Sequence, residues 1–374
     1  MSEESGLRIV HLPDLVGGHP SSLSLGEREL GALSQTLSYA DSPFGYRSDI
    51  RLVHAHSSLP RRWLERVMTV ASIRRKFDVF HFNFGASLLS SSNGRMLLAD
   101  LPLYPRDAVR IMTFQGSDVR LSYEPVLEKS LEEERRIQGA IKVNAEESRL
   151  RARADRQIRT AELSAKYCDR LLALNPDLLQ FLPDEKACFF PYAIEPPAID
   201  MAFSRHAQEQ ARPLHFVHCS TNRILKGTGL IEAALEAAQK RVDITYSVLM
   251  NVGRGQALRQ VAEADVFIDQ MVLGWYGAAA VEAMYMGKPV VGFISDVQKR
   301  YAPRDLLGEL PIIQTTSEEM ADMIVSLVEN QDQLAISSAA GRKFAEKWHK
   351  PEMVARQSIG LYDAVRSQKG VGGV

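Results

Sequence analysis

One stretch of the sequence, residues 264–294, restricts the fold more than any other. It reads ADVFIDQMVLGWYGAAAVEAMYMGKPVVGFI and contains two short apolar runs, at 266–268 and at 290–294. A glycine-bearing loop and nine good helix formers lie between the runs, and Gly287 and Pro289 follow in the order that is typical of a helix C-terminus. Runs that are apolar on both faces and joined through a helix indicate a βαβ unit in a buried parallel sheet.

The loop at 269–277 is the expected ligand-binding part of this unit, because ligands of parallel sheets bind outside the carboxyl ends of the strands. Free amides at the start of the following helix favour an anion such as a diphosphate, and the helix dipole adds to this preference. Glu282 lies in a helix whose other residues are Ala, Val, Met and Tyr. A buried carboxylate needs partners, which a vicinal diol such as ribose, bulk solvent or a structural arginine could each supply.

The segment GAAAVEAMYMGKPVV at 277–291 resembles the donor-site signature of nucleotide-sugar glycosyltransferases with the GT-B fold, which has two Rossmann-like domains. In the large retaining branch of that family the signature contains two glutamates, eight positions apart. The resemblance implies that Glu282 corresponds to the second glutamate, which holds the ribose. The first, which contacts the transferred sugar, would fall at Gly274. Asp269 or nearby backbone amides are the candidates to replace it.

A second loop supports a nucleotide site in the C-terminal half. A predicted strand at 214–219 leads into STNRILKG, in which Arg223 and Lys226 lie where a diphosphate would bind. Two fixed cations would neutralise the leaving diphosphate, and the resembling family has an Arg and a Lys before a Gly in this loop. By resemblance, the loop at 251–255 would hold the nucleotide base. The predicted donor-binding residues are Arg223, Lys226, Asn251, Asp269, Gly274, Trp275, Tyr276, Gly277, Ala278 and Glu282.

The N-terminal half contains the predicted acceptor side. A strand at 7–12 is followed by a loop with Gly17, Gly18 and His19, and the spacing of leucines predicts a helix from about Leu25. By resemblance this loop would border the acceptor and the transferred sugar, although a simple turn explains the glycine pair equally well.

Two further strands end at candidate residues. Asn83 lies in a predicted strand at 79–84, and a strand at 110–114 ends in the turn Gln115-Gly116-Ser117-Asp118. Many members of the resembling family have a histidine in place of Gln115, so this turn resembles an acceptor-site loop. Asp118 could orient an acceptor hydroxyl, act as a base, or only cap the turn. The predicted catalytic residues are His19, Gln115 and Asp118, and the predicted acceptor-side residues are Gly17, Gly18 and Asn83.

The length of 374 residues favours two domains over one, and a proline-rich segment at 191–213 is the predicted linker. We therefore predict an α/β protein with two Rossmann-like domains facing across a cleft. The acceptor domain would cover 1–195 and the donor domain 196–350. In the resembling family the C-terminal helix, here predicted at 351–367, crosses back onto the first domain.

The formal net charge of −1 gives no reason to expect non-specific binding of nucleic acid. Cys168, Cys188 and Cys219 lack the spacing of metal ligands and are interpreted as reduced thiols. The sequence has no apolar run of 18 residues and no secretory character at its start, so we expect a cytoplasmic protein. Arginines at 149–159, within a predicted long helix at 128–166, indicate a solvated face or, alternatively, contact with anionic lipid headgroups or a phosphate-bearing acceptor.

Together these features predict a glycosyltransferase that moves a sugar from a nucleotide diphosphate sugar, of the UDP or GDP type, to an acceptor hydroxyl. The sequence contains no Asp-x-Asp pair, so we expect neither a metal ion nor a cofactor. Retention of anomeric configuration is preferred because it needs no strong base, whereas an inverting enzyme would need His19 or Asp118. The alternatives are a sugar-nucleotide epimerase of the same fold and a non-catalytic nucleotide-sugar-binding partner subunit.

Overall fold

The computed structural model describes residues 6–39, 45–46, 48–52, 58–91, 94, 96–121, 126–151, 153–198 and 212–371. The chain forms two compact units. The first unit consists of Met1–Leu121, Arg153–Glu195 and His349–Val374, and the second of Ser122–Ala152 and Pro196–Trp348. Residues 199–211, the larger part of the predicted linker, lie outside the described residues.

Each unit is built on one sheet, and every strand pair recorded among the described residues is parallel. The strands of the first unit are β1 (Arg8–Leu12), β2 (Leu33–Ser38), β3 (Ile50–Arg51), β4 (Val79–Asn83), β5 (Val109–Phe114), β6 (Arg170–Ala173) and β7 (Ala187–Phe189). The strands of the second are β8 (Leu214–Ser220), β9 (Ile244–Met250), β10 (Val266–Ile268), β11 (Val290–Gly292) and β12 (Ile313–Gln314). The spatial orders are β3-β2-β1-β4-β5-β6-β7 and β12-β11-β10-β8-β9.

Helices connect the strands in both units. In chain order they are α1 (His19–Glu29), α2 (Leu59–Ile73), α3 (Val126–Gln138), α4 (Ala140–Arg151), α5 (Ala154–Tyr167), α6 (Arg223–Lys226), α7 (Thr228–Gln239), α8 (Arg254–Glu263), α9 (Ala278–Tyr285), α10 (Asp296–Tyr301), α11 (Arg304–Glu309), α12 (Met320–Glu329), α13 (Asp332–Trp348) and α14 (Pro351–Val371). Strands and helices alternate, so the predicted parallel α/β architecture is confirmed.

The central strands are buried on both faces. Every residue of β10 is buried, as is every residue of β4. In the first unit Phe80 and Phe82 of β4 belong to a core cluster in which both are fully buried. In the second unit Val266 and Ile268 of β10 occupy the equivalent place. β10 is continuously apolar, as burial on both faces favours, whereas β4 alternates Phe80 and Phe82 with the buried polar residues His81 and Asn83.

The C-terminal helix α14 packs on α1 within the first unit, as the resemblance implied. A Cβ atom on Gly26 would lie 2.3 Å from the carbonyl oxygen of Pro351, so the close approach of the two helices requires glycine there. The fully buried carboxylate of Glu27 accepts hydrogen bonds from Ser358 (2.9 Å) and Tyr362 (3.0 Å) of α14. These bonds satisfy a carboxylate that would otherwise be costly to bury.

The segment at 122–152 differs from the expectation of one continuous N-terminal domain over 1–195. Its helices α3 and α4 belong to the second unit, where Leu127, Leu131 and Val143 form a buried cluster with Ile224. Ser130 also donates a hydrogen bond to the carbonyl oxygen of Ile224 at 2.7 Å. The segment therefore covers the loop that follows β8.

Two predictions of local structure are wrong. The helix predicted from Leu25 begins instead at His19 and ends at Glu29, because Gly31 has a positive φ of 89° and the chain turns into strand β2. The long helix predicted at 128–166 is broken at Gly139, whose φ of 85° again ends a helix. A second break separates α4 from α5, so that Arg149 and Arg151 lie in α4, Arg153 is the N-cap of α5, and Arg156 and Arg159 lie in α5.

Candidate functional site

The second sheet has its switch point between β8 and β10. From β8 the chain adds β9 on one side, and then crosses to add β10, β11 and β12 on the other. The loops that leave β8 and β10 therefore diverge at their carboxyl ends and open the crevice in which α/β sheets bind ligands.

Lys226, Asp269 and Gly277 meet at this crevice. The Lys226 ammonium group is 2.9 Å from Oδ1 of Asp269, and the Gly277 amide donates to Oδ2 of the same carboxylate at 2.8 Å. Asp269 is almost fully buried, whereas the Lys226 side chain keeps 21% of its surface exposed. A Cβ on Gly277 would lie 3.2 Å from Lys226 Nζ, so glycine allows the cation to approach the start of α9. A lysine and a helix N-terminus together favour an anion.

Glu282 lies one turn further along α9, and its partner is an arginine that the sequence interpretation did not single out. Arg254, the first residue of α8, donates from Nε to Oε1 of Glu282 at 2.7 Å. Burial raises the pKa of Glu282 above its ordinary value, and the Arg254 guanidinium offsets part of this rise. The Glu282 side chain keeps 12% of its surface exposed, and no hydrogen bond of Oε2 is recorded within the described part of the chain. One carboxylate oxygen is therefore held while the other remains available.

Cys219, at the end of β8, lies close enough to Lys226, Asp269 and Glu282 to be affected by their charges. Burial raises its pKa to about 11, and the charges of Lys226, Glu282 and Asp269 all act on it. The three charged side chains thus surround the same strand end.

Arg223 is held differently from the prediction. Its Nε lies 2.9–3.0 Å from both carboxylate oxygens of Glu134 in α3, and its guanidinium also pairs with Glu232 of α7. Glu134 is fully buried and accepts a further hydrogen bond from the Gly229 amide at 2.9 Å. Arg223 therefore joins α3 to the loop after β8, while Lys226 is the cation at the crevice.

Gly274 has no room for the glutamate that the retaining signature would place there. Its φ is +71°, and a Cβ would lie 2.5 Å from Oγ and 2.7 Å from Cβ of Ser295. The neighbouring aromatic rings of Trp275 and Tyr276 are buried and stack on each other with centroids 4.8 Å apart. Both are large side chains that are almost fully buried within the second unit.

The remaining predicted donor residues occupy the rim of the second sheet. Asn251 follows β9 with a φ of +53° and is exposed, and Ala278 is the partly buried first residue of α9.

The first sheet has a corresponding switch point between β1 and β4. The loop after β1 contains Gly17 and Gly18, with φ values of 64° and 71°. A Cβ on Gly18 would lie 2.3 Å from a ring atom of Tyr46, and one on Gly17 would lie 3.5 Å from Oε1 of Gln115. The two glycines therefore let the loop pass between Tyr46 and Gln115 in a conformation that other residues rarely adopt.

His19 is a buried hydrogen-bond donor. Its Nδ1 accepts from the Ala193 amide at 2.9 Å, which leaves the proton of the neutral ring on Nε2. Burial lowers its pKa to about 3, so the ring is neutral at physiological pH. Nε2 is buried and has no hydrogen-bond partner among the described residues.

Two polar groups near this loop also lack partners in the described part of the chain: Nε2 of Gln115 and Oδ1 of Asn83, both buried. Asp118 is engaged, since its carboxylate accepts from the amides of Gln115 (3.0 Å) and Gly116 (2.7 Å). Burial raises the pKa of Asp118 to about 6. Asp118 therefore caps its turn, while Gln115 and Asn83 point unsatisfied polar atoms into the interior, where such atoms are uncommon.

Among the described residues, no group of three or more His, Cys, Asp or Glu side chains is arranged to hold a metal ion. Within the same residues, no helix combines the length and apolarity needed to cross a membrane.

Comparison with solved structures identifies the architecture. Sucrose-phosphate synthase from Thermosynechococcus elongatus is similar over 96% of this chain and 100% of its own, with 14% identity and a TM-score of 0.61. HepE from Anabaena, in complex with UDP and glucose, is similar over 96% and 99%, with 15% identity and a TM-score of 0.62. A glycosyltransferase from Rickettsia africae shows 12% identity over 96% and 99%, with a TM-score of 0.60. The chain has the GT-B fold.

No protein-family model and no curated protein matches this GT-B chain. At 12–15% identity the structural likenesses establish the fold and leave the residues to be argued from the geometry. The sequence interpretation missed Glu134, Arg254 and Tyr46. Their partners lie 89, 28 and 28 positions away, at Arg223, Glu282 and Gly18, and no local pattern marks such distant pairs.

Proposed function

We propose that this GT-B protein is a glycosyltransferase that moves a sugar from a nucleoside diphosphate sugar to an acceptor hydroxyl. The observation that carries the proposal is the meeting of Lys226, Asp269 and Gly277 at the switch point of the second sheet. HepE, one of the similar structures, was solved with UDP-glucose and with UDP and glucose, which supports a nucleoside diphosphate sugar as the ligand.

In this proposal the second unit binds the donor. Lys226 and the amides of the first turn of α9 bind the diphosphate, and Asp269 holds Lys226 and the Gly277 amide before this turn in position. The available oxygen of Glu282 accepts from a ribose hydroxyl, while Arg254 keeps the carboxylate charged and oriented. Lys226 then stabilises the charge that develops on the leaving diphosphate, with no metal ion required.

The first unit would bind the acceptor and the transferred sugar. Nε2–H of His19 and the Gln115 side-chain amide are buried donors, and Oδ1 of Asn83 is a buried acceptor. Sugar hydroxyls both donate and accept, so a sugar would satisfy all three groups and remove the cost of leaving them unpaired.

Retention of anomeric configuration is also part of the proposal. His19 carries its proton on Nε2, the nitrogen that has no partner among the described residues, so it is set to donate and not to abstract a proton. The Asp118 carboxylate is occupied by backbone amides. Neither group is placed as the strong base that inversion requires, and this supports the retaining route.

The test begins with a thermal-shift panel of nucleoside diphosphates and their sugar conjugates, since a ligand of the native state raises the unfolding midpoint. The sugar conjugate that binds best is then incubated with a panel of hydroxyl acceptors, and Lys226→Met serves as the inactive control. We expect release of nucleoside diphosphate that depends on the acceptor, and an anomeric proton of unchanged configuration in the product by NMR. A changed sugar without acceptor would replace the proposal with an epimerase, and binding without any turnover would replace it with a non-catalytic binder.

A further inference from the structure

Helix α2 in the first unit exposes an apolar face in addition to the one that it buries. Its inward face places Val70 and Ile73 in the core. On the other side Leu64, Val67 and Met68 are exposed by 60%, 49% and 61%. Positions i, i+3 and i+4 share one face of a helix, so these three side chains form a contiguous apolar row. Isolated exposed apolar residues are ordinary, whereas a continuous row on a helix indicates a binding surface.

A basic cavity begins where α2 ends. Arg74, Arg75 and Lys76 follow the helix directly and are all exposed. Arg74 and Arg75 line a cavity of about 990 Å³ at the amino ends of the strands of the first sheet. Its other charged lining residues are Arg8, Asp78, Arg106, Asp107, Arg366 and Lys369.

Positive charge in this cavity exceeds negative charge. Six basic side chains line it against two acidic ones, and three of the six have carboxylate partners. Arg8 pairs with Asp78 at 2.7 Å, Lys369 with Asp169 at 2.7 Å and Arg366 with Asp363 at 3.9 Å. No hydrogen bond or ion pair of the Arg74, Arg75 or Arg106 side chain is recorded with any residue that the structure describes. The cavity is therefore suited to phosphate groups, which arginine binds through two parallel hydrogen bonds.

We propose that the exposed row of α2 and the basic cavity together bind the surface of an anionic phospholipid membrane. Leu64, Val67 and Met68 insert between the lipids, while Arg74 and Arg75 bind headgroup phosphates. A helix with an apolar row and adjacent basic residues lies in the membrane interface in this way. The surface belongs to the first unit and differs from the arginines at 149–159, which are divided between two helices.

The charge distribution favours a membrane over a second copy of the chain. In a symmetric dimer the same patch would face itself, which would bring the unpaired arginines of two copies together. An acidic bilayer supplies apolar depth and negative charge at the same surface. The cavity lies at the amino ends of the strands, so membrane contact there leaves the carboxyl-end loops of the first sheet uncovered.

The experiment is co-sedimentation of the full chain with vesicles of phosphatidylcholine alone or with 30 mol% phosphatidylglycerol, the latter a composition of roughly physiological anionic content. We expect binding to the anionic vesicles only. Leu64→Gln/Met68→Gln should lower the partition coefficient on the order of 100-fold. Arg74→Gln/Arg75→Gln should lower it roughly 30-fold, at about fivefold per charge.

Matched variants remove equivalent groups elsewhere. Ile336→Gln changes a side chain that is 70% exposed in the second unit, and Lys240→Gln/Lys343→Gln removes two exposed charges of that unit. Both should bind vesicles as the unmodified protein does, and circular dichroism verifies the fold of every variant.

Three results would overturn the proposal. The first is equal vesicle binding by Leu64→Gln/Met68→Gln and the unmodified protein. The second is a dimer of the unmodified protein in light scattering that Leu64→Gln/Met68→Gln does not form, which would assign the row to a second copy of the chain. The third is binding of inorganic pyrophosphate that depends on Arg74 and Arg75, in a protein that does not bind vesicles. This result would assign the cavity to a soluble anion.

Discussion

The Lys226 ammonium group lies 2.9 Å from Oδ1 of Asp269, and the other oxygen of that carboxylate accepts from the Gly277 amide, directly before α9. The buried carboxylate thus holds a cation and a helix N-terminus beside each other at one strand end. The Lys226 ammonium group has hydrogens beyond the one that faces Asp269, so a diphosphate can bind it together with the amides at the start of α9.

The first prediction concerns the crevice cation. We expect Lys226→Met to weaken binding of the preferred nucleoside diphosphate roughly 10- to 100-fold, because one charge-assisted hydrogen bond is worth about 1.5–3 kcal/mol. Isothermal titration calorimetry measures the change. Lys240→Met, an exposed lysine at the end of α7, is the control and should bind normally. Normal affinity in Lys226→Met, with the fold intact, would remove our donor-site assignment.

The second prediction separates Arg223 from Lys226. Arg223→Met leaves the fully buried Glu134 carboxylate without its main partner, so we expect a loss of about 3 kcal/mol in the free energy of unfolding. The nucleotide affinity of Arg223→Met, measured under conditions in which the variant is folded, should change much less than that of Lys226→Met. In urea unfolding, the double variant Arg223→Met/Glu134→Gln should recover part of the loss. Full stability of Arg223→Met would show that the buried pair is unimportant.

The third prediction tests the ribose contact. We expect the unmodified protein to bind the ribonucleotide roughly tenfold more tightly than its 2′,3′-dideoxy form, and Glu282→Gln to remove most of this preference. An equal preference in both proteins would show that Glu282 does not contact the ribose.

The pH dependence of the ribose preference in Arg254→Met extends this test. The guanidinium offsets the rise that burial causes in the Glu282 pKa, so its removal raises that pKa further. A carboxyl with a raised pKa is charged only at higher pH, so as the pH is lowered the ribose preference of Arg254→Met should begin to fall at a higher pH than that of the unmodified protein. Titration of the preference at several pH values measures this, and a flat profile would contradict the role of Arg254.

The fourth prediction is that the retaining signature cannot be restored at position 274. Gly274→Glu must adopt a φ of +71° and displace Ser295, so we expect a loss of about 2 kcal/mol in stability and no gain in transfer rate. Gly274→Ala imposes the same strain without the carboxylate and should lose a similar amount. Faster transfer by Gly274→Glu alone would show that the glutamate can be accommodated and used.

The fifth prediction follows from His19. Its folded pKa of about 3 lies below the value of about 6.5 for an unfolded histidine, so between these values only the unfolded chain binds the proton. The stabilisation is complete above pH 6.5 and declines as pH falls, by about 2 kcal/mol at pH 5. We expect His19→Asn to lose less stability than the unmodified protein between pH 7 and pH 5 in urea unfolding. The same loss in both would mean that His19 is protonated in the folded state.

Local sequence was sufficient for much of the fold. The run at 266–268 is strand β10 and the run at 290–294 contains strand β11 at Val290–Gly292, with helix α9 between them, because burial on both faces leaves a continuous apolar pattern. The sequence did not predict strand β2, because its leucines also fit the period of a helix. The short turn at Gly31 decides between strand and helix. The positive φ of one glycine is a property of the folded backbone, and the neighbouring residues in the sequence do not predict it.

The candidate site divides in the same way. Lys226, Asp269 and Gly277 were expected at one place because each follows the carboxyl end of a strand in the same sheet, and parallel strands end together. Arg223 was expected beside them, yet α3 places the buried Glu134 against it.

The sequence by itself determined which strand ends carry charge, glycine and the start of a helix, because strand period, helix formers and glycine positions are local properties. Only the tertiary structure decided which charged groups are paired, as Arg223 is with Glu134 and Glu282 is with Arg254. It also decided that Ser295 leaves no room for a side chain at Gly274. The physical reason is that pairing energy depends on distance and burial, and both are set by packing between segments that are remote in the chain.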